Sequence, residues 1–178
     1  MNLFETIDSE TRKRHLQFLI IGGLAINQYG FSRETADLDL LVCVDDRAKW
    51  FELFATFGYG IFNDGGNFVQ FSPPEQSAWP VDLMLVQQKT FKPMCDAGRE
   101  VDFYGVAARI PSLEHLLALK LHALKNARLH RFLKDFLDVE NLIRINQIDI
   151  GSENMRQLFL RYGTIELYEK ISRSLASE

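Results

Sequence analysis

The chain has 178 residues, 47% of them hydrophobic and 25% charged, with a formal net charge of -4. That size and balance suit one compact domain, or a small catalytic core with a helical extension, and argue against a protein that coats nucleic acid without discrimination. No apolar run reaches the ~18 residues of a membrane span, and the N-terminal MNLFETIDSETRKRH is too polar for a signal peptide, so no membrane partner is expected.

Leu16 to Ile21 predicts a strand that ends at the pair Gly22-Gly23, and LAINQYG reads as a helix closed by Gly30. Ala36 to Val44, rich in Leu and Val, predicts a second strand. Asp45 is placed to cap a helix over DRAKWFELFATF, which stops at Gly58. Asp64-Gly65-Gly66 is a turn signal before a strand in NFVQF. Ser72 to Pro80 holds three of the five prolines and predicts a loop, followed by a strand from Val81 to Val86. VDFYGVAARI predicts a hairpin bending at Gly105.

After Pro111 the pattern turns helical. Ser112 caps a helix to about Asn126, a second runs from Leu129 to Ile145, Ser152 caps a third ending near Gly163, and a short one follows Thr164. The fold class is α/β (α+β): a small mixed β-sheet core with flanking helices over residues 1–110, then a C-terminal helical segment over 111–178 packed on it.

The residues that carry chemistry begin at the glycine pair. Glycines where a strand meets a helix let the backbone approach a phosphate closely. No GxxxxGK[ST] or GxGxxG is present, so neither a P-loop nor a Rossmann site is supported. Asp37 and Asp39 lie two apart in an apolar run and would share one strand face, roughly 6.6 Å apart. At that distance two carboxylates repel by about 2–3 kcal/mol at an effective dielectric near 20, unless solvent or a cation intervenes. Asp82 adds a third acid in a separate predicted strand. Three such oxygen donors suit Mg²⁺ or Mn²⁺. Arg33 and Thr35, just before the acids, either contact phosphate or fix the loop.

Lys120 interrupts an apolar helical stripe of Leu113, Leu116, Leu117, Leu121 and Leu124. A lysine there needs a phosphate or carboxylate partner, or must snorkel its ammonium outward. From His115 to Lys134 there are five basic residues (Lys120, Lys125, Arg128, Arg131 and Lys134) and no acid, which suits phosphate or a solvated face. Arg128, Arg131, Asp135 and Asp138 form a polar stripe in which Arg131 and Asp135 can pair. The four histidines give no zinc signature. Cys43 and Cys95 form neither a metal spacing nor a disulfide framework, which favours a reducing, cytoplasmic setting.

With these residues in view, the chain resembles the nucleotidyltransferase superfamily that includes DNA polymerase β and the minimal nucleotidyltransferases. The shared motif is a glycine pair, a short helix, Dx[DE] in a strand and a later lone acid. Here it reads Gly22-Gly23, thirteen intervening residues, Asp37-x-Asp39, then Asp82. The second half is similar to the AbiEii-like branch, whose members include toxins of toxin–antitoxin systems, through PSLEHLLALKLHAL and RFLKDFLD. The resemblance spans Phe18 to Asp138.

It implies a catalytic set of Asp37, Asp39, Asp82, Lys120 and Asp135, with the first three holding Mg²⁺ or Mn²⁺. It further implies nucleotide contacts from Gly22, Gly23, Arg33, Thr35 and Lys120. The implied reaction moves NMP from an NTP such as ATP to a hydroxyl of RNA (a tRNA, for example) or of a protein, with a cognate antitoxin as a partner. One departure stands out: the hydroxyl residue that often follows the glycine pair is Leu24 here. It motivates the alternative of a catalytically weak or inactive module that binds nucleotide or partner on the same fold. A γ-phosphate transferase would use similar metal chemistry.

Overall fold

A computed structural model of the chain describes residues 3–126 and 129–176, with no side chain described over 127–130. The chain forms two compact units: residues up to Ala25 together with Glu34–Ser112, and Ile26–Arg33 together with Leu113 onward.

The first unit is a mixed α/β layer. Helix α1 (Leu3–Arg14) leads into strand β1 (Phe18–Ile20), and the short helix α2 (Gly22–Asn27) follows. Strand β2 (Leu38–Cys43), helix α3 (Arg47–Thr56) and the hairpin β3 (Gly60–Asp64) and β4 (Phe68–Ser72) come next. Strand β5 (Val81–Val86), helix α4 (Gln88–Asp96) and a second hairpin of β6 (Arg99–Phe103) and β7 (Val106–Ile110) complete the unit. Five strands make one sheet in the order β1-β2-β5-β4-β3, and β6-β7 stand as a separate pair. Among the described residues, β2 and β5 run parallel and the other pairs of this sheet are antiparallel.

Burial explains this order. In β2, Leu38, Leu40, Leu41 and Val42 are all wholly buried, so the strand is covered on both faces and must be central. Strand β3 is exposed along its whole length, as an edge strand can be. Trp50, Leu53 and Phe54 of α3 are fully buried, and the Phe54 ring meets Phe71 of β4 at 5.1 Å. Each such aromatic contributes about 1.5–3 kcal/mol by leaving water.

The second unit is helical: α5 (Leu113–Lys125), α6 (Leu129–Ile145), α7 (Glu153–Tyr162) and α8 (Ile165–Ala176). Its core includes Leu117, Leu121, Val139, Leu142, Phe159 and Ile171. Ser152 caps α7 by accepting from the Met155 N–H, and Thr164 accepts from Leu167 at the start of α8. The 26–33 segment belongs to this unit, where Asn146 donates to the Tyr29 carbonyl.

The mixed sheet with flanking helices and a helical second half agrees with the expected fold class, and three elements add to it. Helix α1 buries only Phe4, Ile7 and Thr11, a stripe too sparse to stand out in the sequence. Helix α4 continues through Pro93 because Phe91 and Met94 anchor it in the core. Strand β3 lacks the expected alternation because both faces meet solvent. Boundaries also differ: β1 spans Phe18–Ile20 rather than Leu16 to Ile21, and α2 takes in the glycine pair and ends at Asn27. Strand β2 begins at Leu38, which leaves Asp37 just outside it, and α3 is preceded by a 3-10 turn at Val44–Asp46 with Asp46, not Asp45, at the cap position. The β6-β7 hairpin bends at Tyr104-Gly105, both with positive φ. Among the described residues, no helix is long and apolar enough to cross a membrane.

Candidate active site

The site in the first unit starts from strand register. Asp39 and Asp82 are each the second residue of their strands, and the parallel β2-β5 pairing sets them directly opposite one another. Asp37, one residue before β2, completes a group in which one carboxylate oxygen from each acid lies within 4.8 Å of the others. Asp82 is buried, while Asp37 and Asp39 are half-buried. The sheet alone explains why Asp39 and Asp82 meet; Asp37 needs the turn that precedes the strand.

Two of the carboxylates are hydrogen-bonded by neighbours, and the third occupies space that a glycine leaves open. Thr35 donates its hydroxyl to Asp37 Oδ1 at 3.0 Å. Gln70 of β4, paired in register with Asp82, donates its side-chain amide to both Asp82 oxygens, at 3.4 Å to Oδ1 and 3.2 Å to Oδ2. Gly22 backs Asp39: its φ is +63°, and a Cβ there would lie 1.8 Å from Asp39 Oδ2. Only glycine satisfies both the backbone conformation and the space. Gly22→Ala is therefore expected to push the Asp39 carboxylate out of place. We expect a loss of about 1–3 kcal/mol of stability and a weaker thermal upshift with Mn²⁺. Unfolding curves with and without the ion check this, and curves matching wild type in both conditions would contradict it.

The donor set is three hard oxygens on adjacent chain segments, with no sulfur or imidazole among them, and it fits Mg²⁺ or Mn²⁺. Leu24, which follows the glycine pair, is buried in the core and turns no polar group outward.

The second unit contains its own polar cluster. Lys120 Nζ lies 2.8 Å from Asp135 Oδ1 and 2.7 Å from Asp138 Oδ2. Arg33 Nε lies 3.0 Å from Asp138 Oδ1, and its Nη2 donates to Oδ2 at 3.3 Å. Asn27 also grips the Arg33 backbone, donating to its carbonyl and accepting from its N–H. Of the alternatives read for Lys120, the carboxylate partner is the one present.

Asp135 of the polar stripe on α6 pairs with Lys120 and not with Arg131. Asp135 and Asp138 are buried, because Lys120 and Arg33 satisfy them, and no Arg131–Asp135 ion pair forms among the described residues. Lys125, Arg131 and Lys134 are exposed, and Arg128 lies outside the described residues. Both thiols are poor nucleophiles. Burial raises Cys43, and burial pushes Cys95 up to about 11.

Two residues of these clusters were missed as partners in the sequence. Gln70 gives no signal until the β4-β5 register is known. Asp138 sat in plain view, three residues after Asp135, but its pairing with Arg33 spans 105 positions.

No family model matches the chain, and no curated protein does. Solved structures do match. The antibiotic-resistance factor ANT(2'')-Ia, in its solution structure, aligns at a TM-score of 0.65 and 15% identity, covering 99% of this chain and 96% of that one. Its crystal structure in complex with adenylyl-2''-tobramycin gives 0.65 and 16%, over 90% and 94%. An antigenic nucleotidyltransferase-like protein from Paracoccidioides brasiliensis gives 0.57 and 15%, over 99% and 89%. The lincomycin-bound lincosamide antibiotic adenylyltransferase LnuA gives 0.56 and 15%, over 78% and 93%. This chain therefore has the fold of solved nucleotidyltransferases.

Proposed function

We propose that the chain is a nucleotidyltransferase dependent on Mg²⁺ or Mn²⁺, moving NMP from an NTP to a hydroxyl group. The observation that carries this reading is the meeting of Asp37, Asp39 and Asp82 within 4.8 Å, on a fold shared with nucleotidyltransferases. A divalent ion, when bound, supplies charge compensation at the triphosphate. The three carboxylates would hold the ion, Thr35 hydrogen-bonds one of them, and Gly22 leaves the room that another, Asp39, occupies. The acceptor oxygen bonds to the α-phosphorus as the bond to pyrophosphate breaks. Lys120 is assigned to the nucleotide phosphates, with Asp135 orienting its ammonium; their 2.8 Å ion pair supports the orienting role. Arg33 is assigned to fixing its loop, supported by its bonds to Asp138 and Asn27.

For the acceptor we favour a small, hydroxyl-bearing, antibiotic-like molecule, because the similar structures include complexes with adenylyl-2''-tobramycin and lincomycin. The exposed Lys125, Arg131 and Lys134 favour a second reading, an RNA end such as that of tRNA, which would suit an AbiEii-like toxin with an antitoxin.

The test is to supply α- or γ-labelled ATP and Mg²⁺ with tobramycin, lincomycin, tRNA or lysate protein in parallel. The proposal expects the α-label on one acceptor, with pyrophosphate released. Transfer of the γ-label would instead make the protein a phosphotransferase. NTP binding without any transfer would favour the binding module that Leu24 motivates.

A further inference from the structure

Gln70 sits on the face of β4 opposite the buried Val69 and Phe71, and the β4-β5 register sets it across from Asp82. Its amide nitrogen lies 3.2 Å from Asp82 Oδ2 and 3.4 Å from Oδ1. A nitrogen almost equidistant from both oxygens of a carboxylate lies near the plane that bisects the group, and this one donates to both oxygens. A cation chelated by both oxygens at once must lie on that same plane and compete with the amide for them. With the amide seated there, Asp82 can offer a cation one oxygen but not two.

Cations differ in whether this matters. Mg²⁺ demands compact octahedral geometry and takes one oxygen per carboxylate, while Ca²⁺ takes six to eight ligands and commonly includes a bidentate carboxylate. Mn²⁺ shares the octahedral oxygen preference of Mg²⁺. We propose that Gln70 is a selectivity-determining residue, which blocks the chelating edge of Asp82 and so biases the three-carboxylate site toward Mg²⁺ and Mn²⁺ over Ca²⁺. The inference rests on the metal-site reading given above. It gives a non-ligand residue, half-exposed on a strand next to the site, a defined chemical task. Gln70 does this without touching the ion.

The experiment titrates the full chain with Mn²⁺ alone and with Ca²⁺ alone, following heat, with the spin signal of free Mn²⁺ as a second readout. Gln70→Leu keeps similar bulk and removes the donor. It should tighten Ca²⁺ binding on the order of tenfold relative to Mn²⁺, because one more carboxylate oxygen reaches the larger ion. Metal-free unfolding curves establish that the variant is folded. If it is not, Gln70→Asn replaces it, since the shorter amide cannot span to both oxygens. An unchanged Ca²⁺/Mn²⁺ ratio in a folded variant overturns the role of Gln70 and leaves the metal site standing. Wild type that binds neither ion, with or without a non-hydrolysable NTP, removes the metal site itself and this inference with it.

Discussion

Replacing Asp39 with asparagine is expected to cut nucleotidyl transfer by about 10²- to 10⁴-fold, the several kcal/mol a correctly held ion contributes. The same change should leave the metal-free protein at least as stable as wild type. Asparagine keeps the shape that rests against Gly22, so packing is preserved. It also removes one of three like charges whose oxygens lie within 4.8 Å. Each such pair repels by on the order of 3 kcal/mol at an effective dielectric near 20, and by less where solvent screens the half-exposed members. Activity and stability therefore move in opposite directions. A carboxylate kept only for structure would lose both together. Labelled-NTP transfer and denaturant unfolding in the presence of a chelator separate these outcomes, and transfer at the wild-type rate would remove Asp39 from the mechanism.

Lys120→Met is expected to cost roughly 3–5 kcal/mol of stability, the typical penalty for breaking a buried ion pair from one side. The ammonium lies within 2.8 Å of Asp135 and 2.7 Å of Asp138, and both acids are buried. Arg33 stays on Asp138 when the lysine is gone, but Asp135 loses the ion pair it makes with Lys120. Asp135→Asn in the same background should restore part of the loss, because the two changes act on one interaction. Chemical denaturation of the two single variants and the double variant measures this coupling. A loss below about 1 kcal/mol for Lys120→Met would place the pair among weak surface bridges and refute its buried role. NTP affinity measured on folded variants then tests the proposed phosphate contact apart from stability.

The sequence made some parts of this molecule legible and hid others for physical reasons. Asp37, Asp39 and Asp82 stood out because acids are rare in apolar runs, and the glycine pair before them marked a strand end. Their meeting depends on β2 pairing with β5, a long-range choice that periodicity alone does not specify. Lys120 was legible as a charge out of place on an apolar stripe. Its second partner, Asp138, was legible as part of a polar stripe, but helical spacing gives the face and not what covers it. Gln70 was silent for a related reason: a lone polar residue in a strand has no meaning until its neighbour across the sheet is known. Helices α1 and α4 were obscured by local chemistry, the one by a thin apolar stripe and the other by Pro93 within it.

The central claim is that three carboxylates form one site for a divalent ion and a nucleotide. Calorimetric titration of a non-hydrolysable NTP into the wild-type chain, with Mn²⁺ and then with a chelator, tests it most directly when repeated on Asp39→Asn. The account predicts nucleotide binding that requires the ion in wild type and is lost or severely weakened in the variant. Equal nucleotide affinity in the presence of the chelator, or an affinity unchanged by Asp39→Asn, would contradict it.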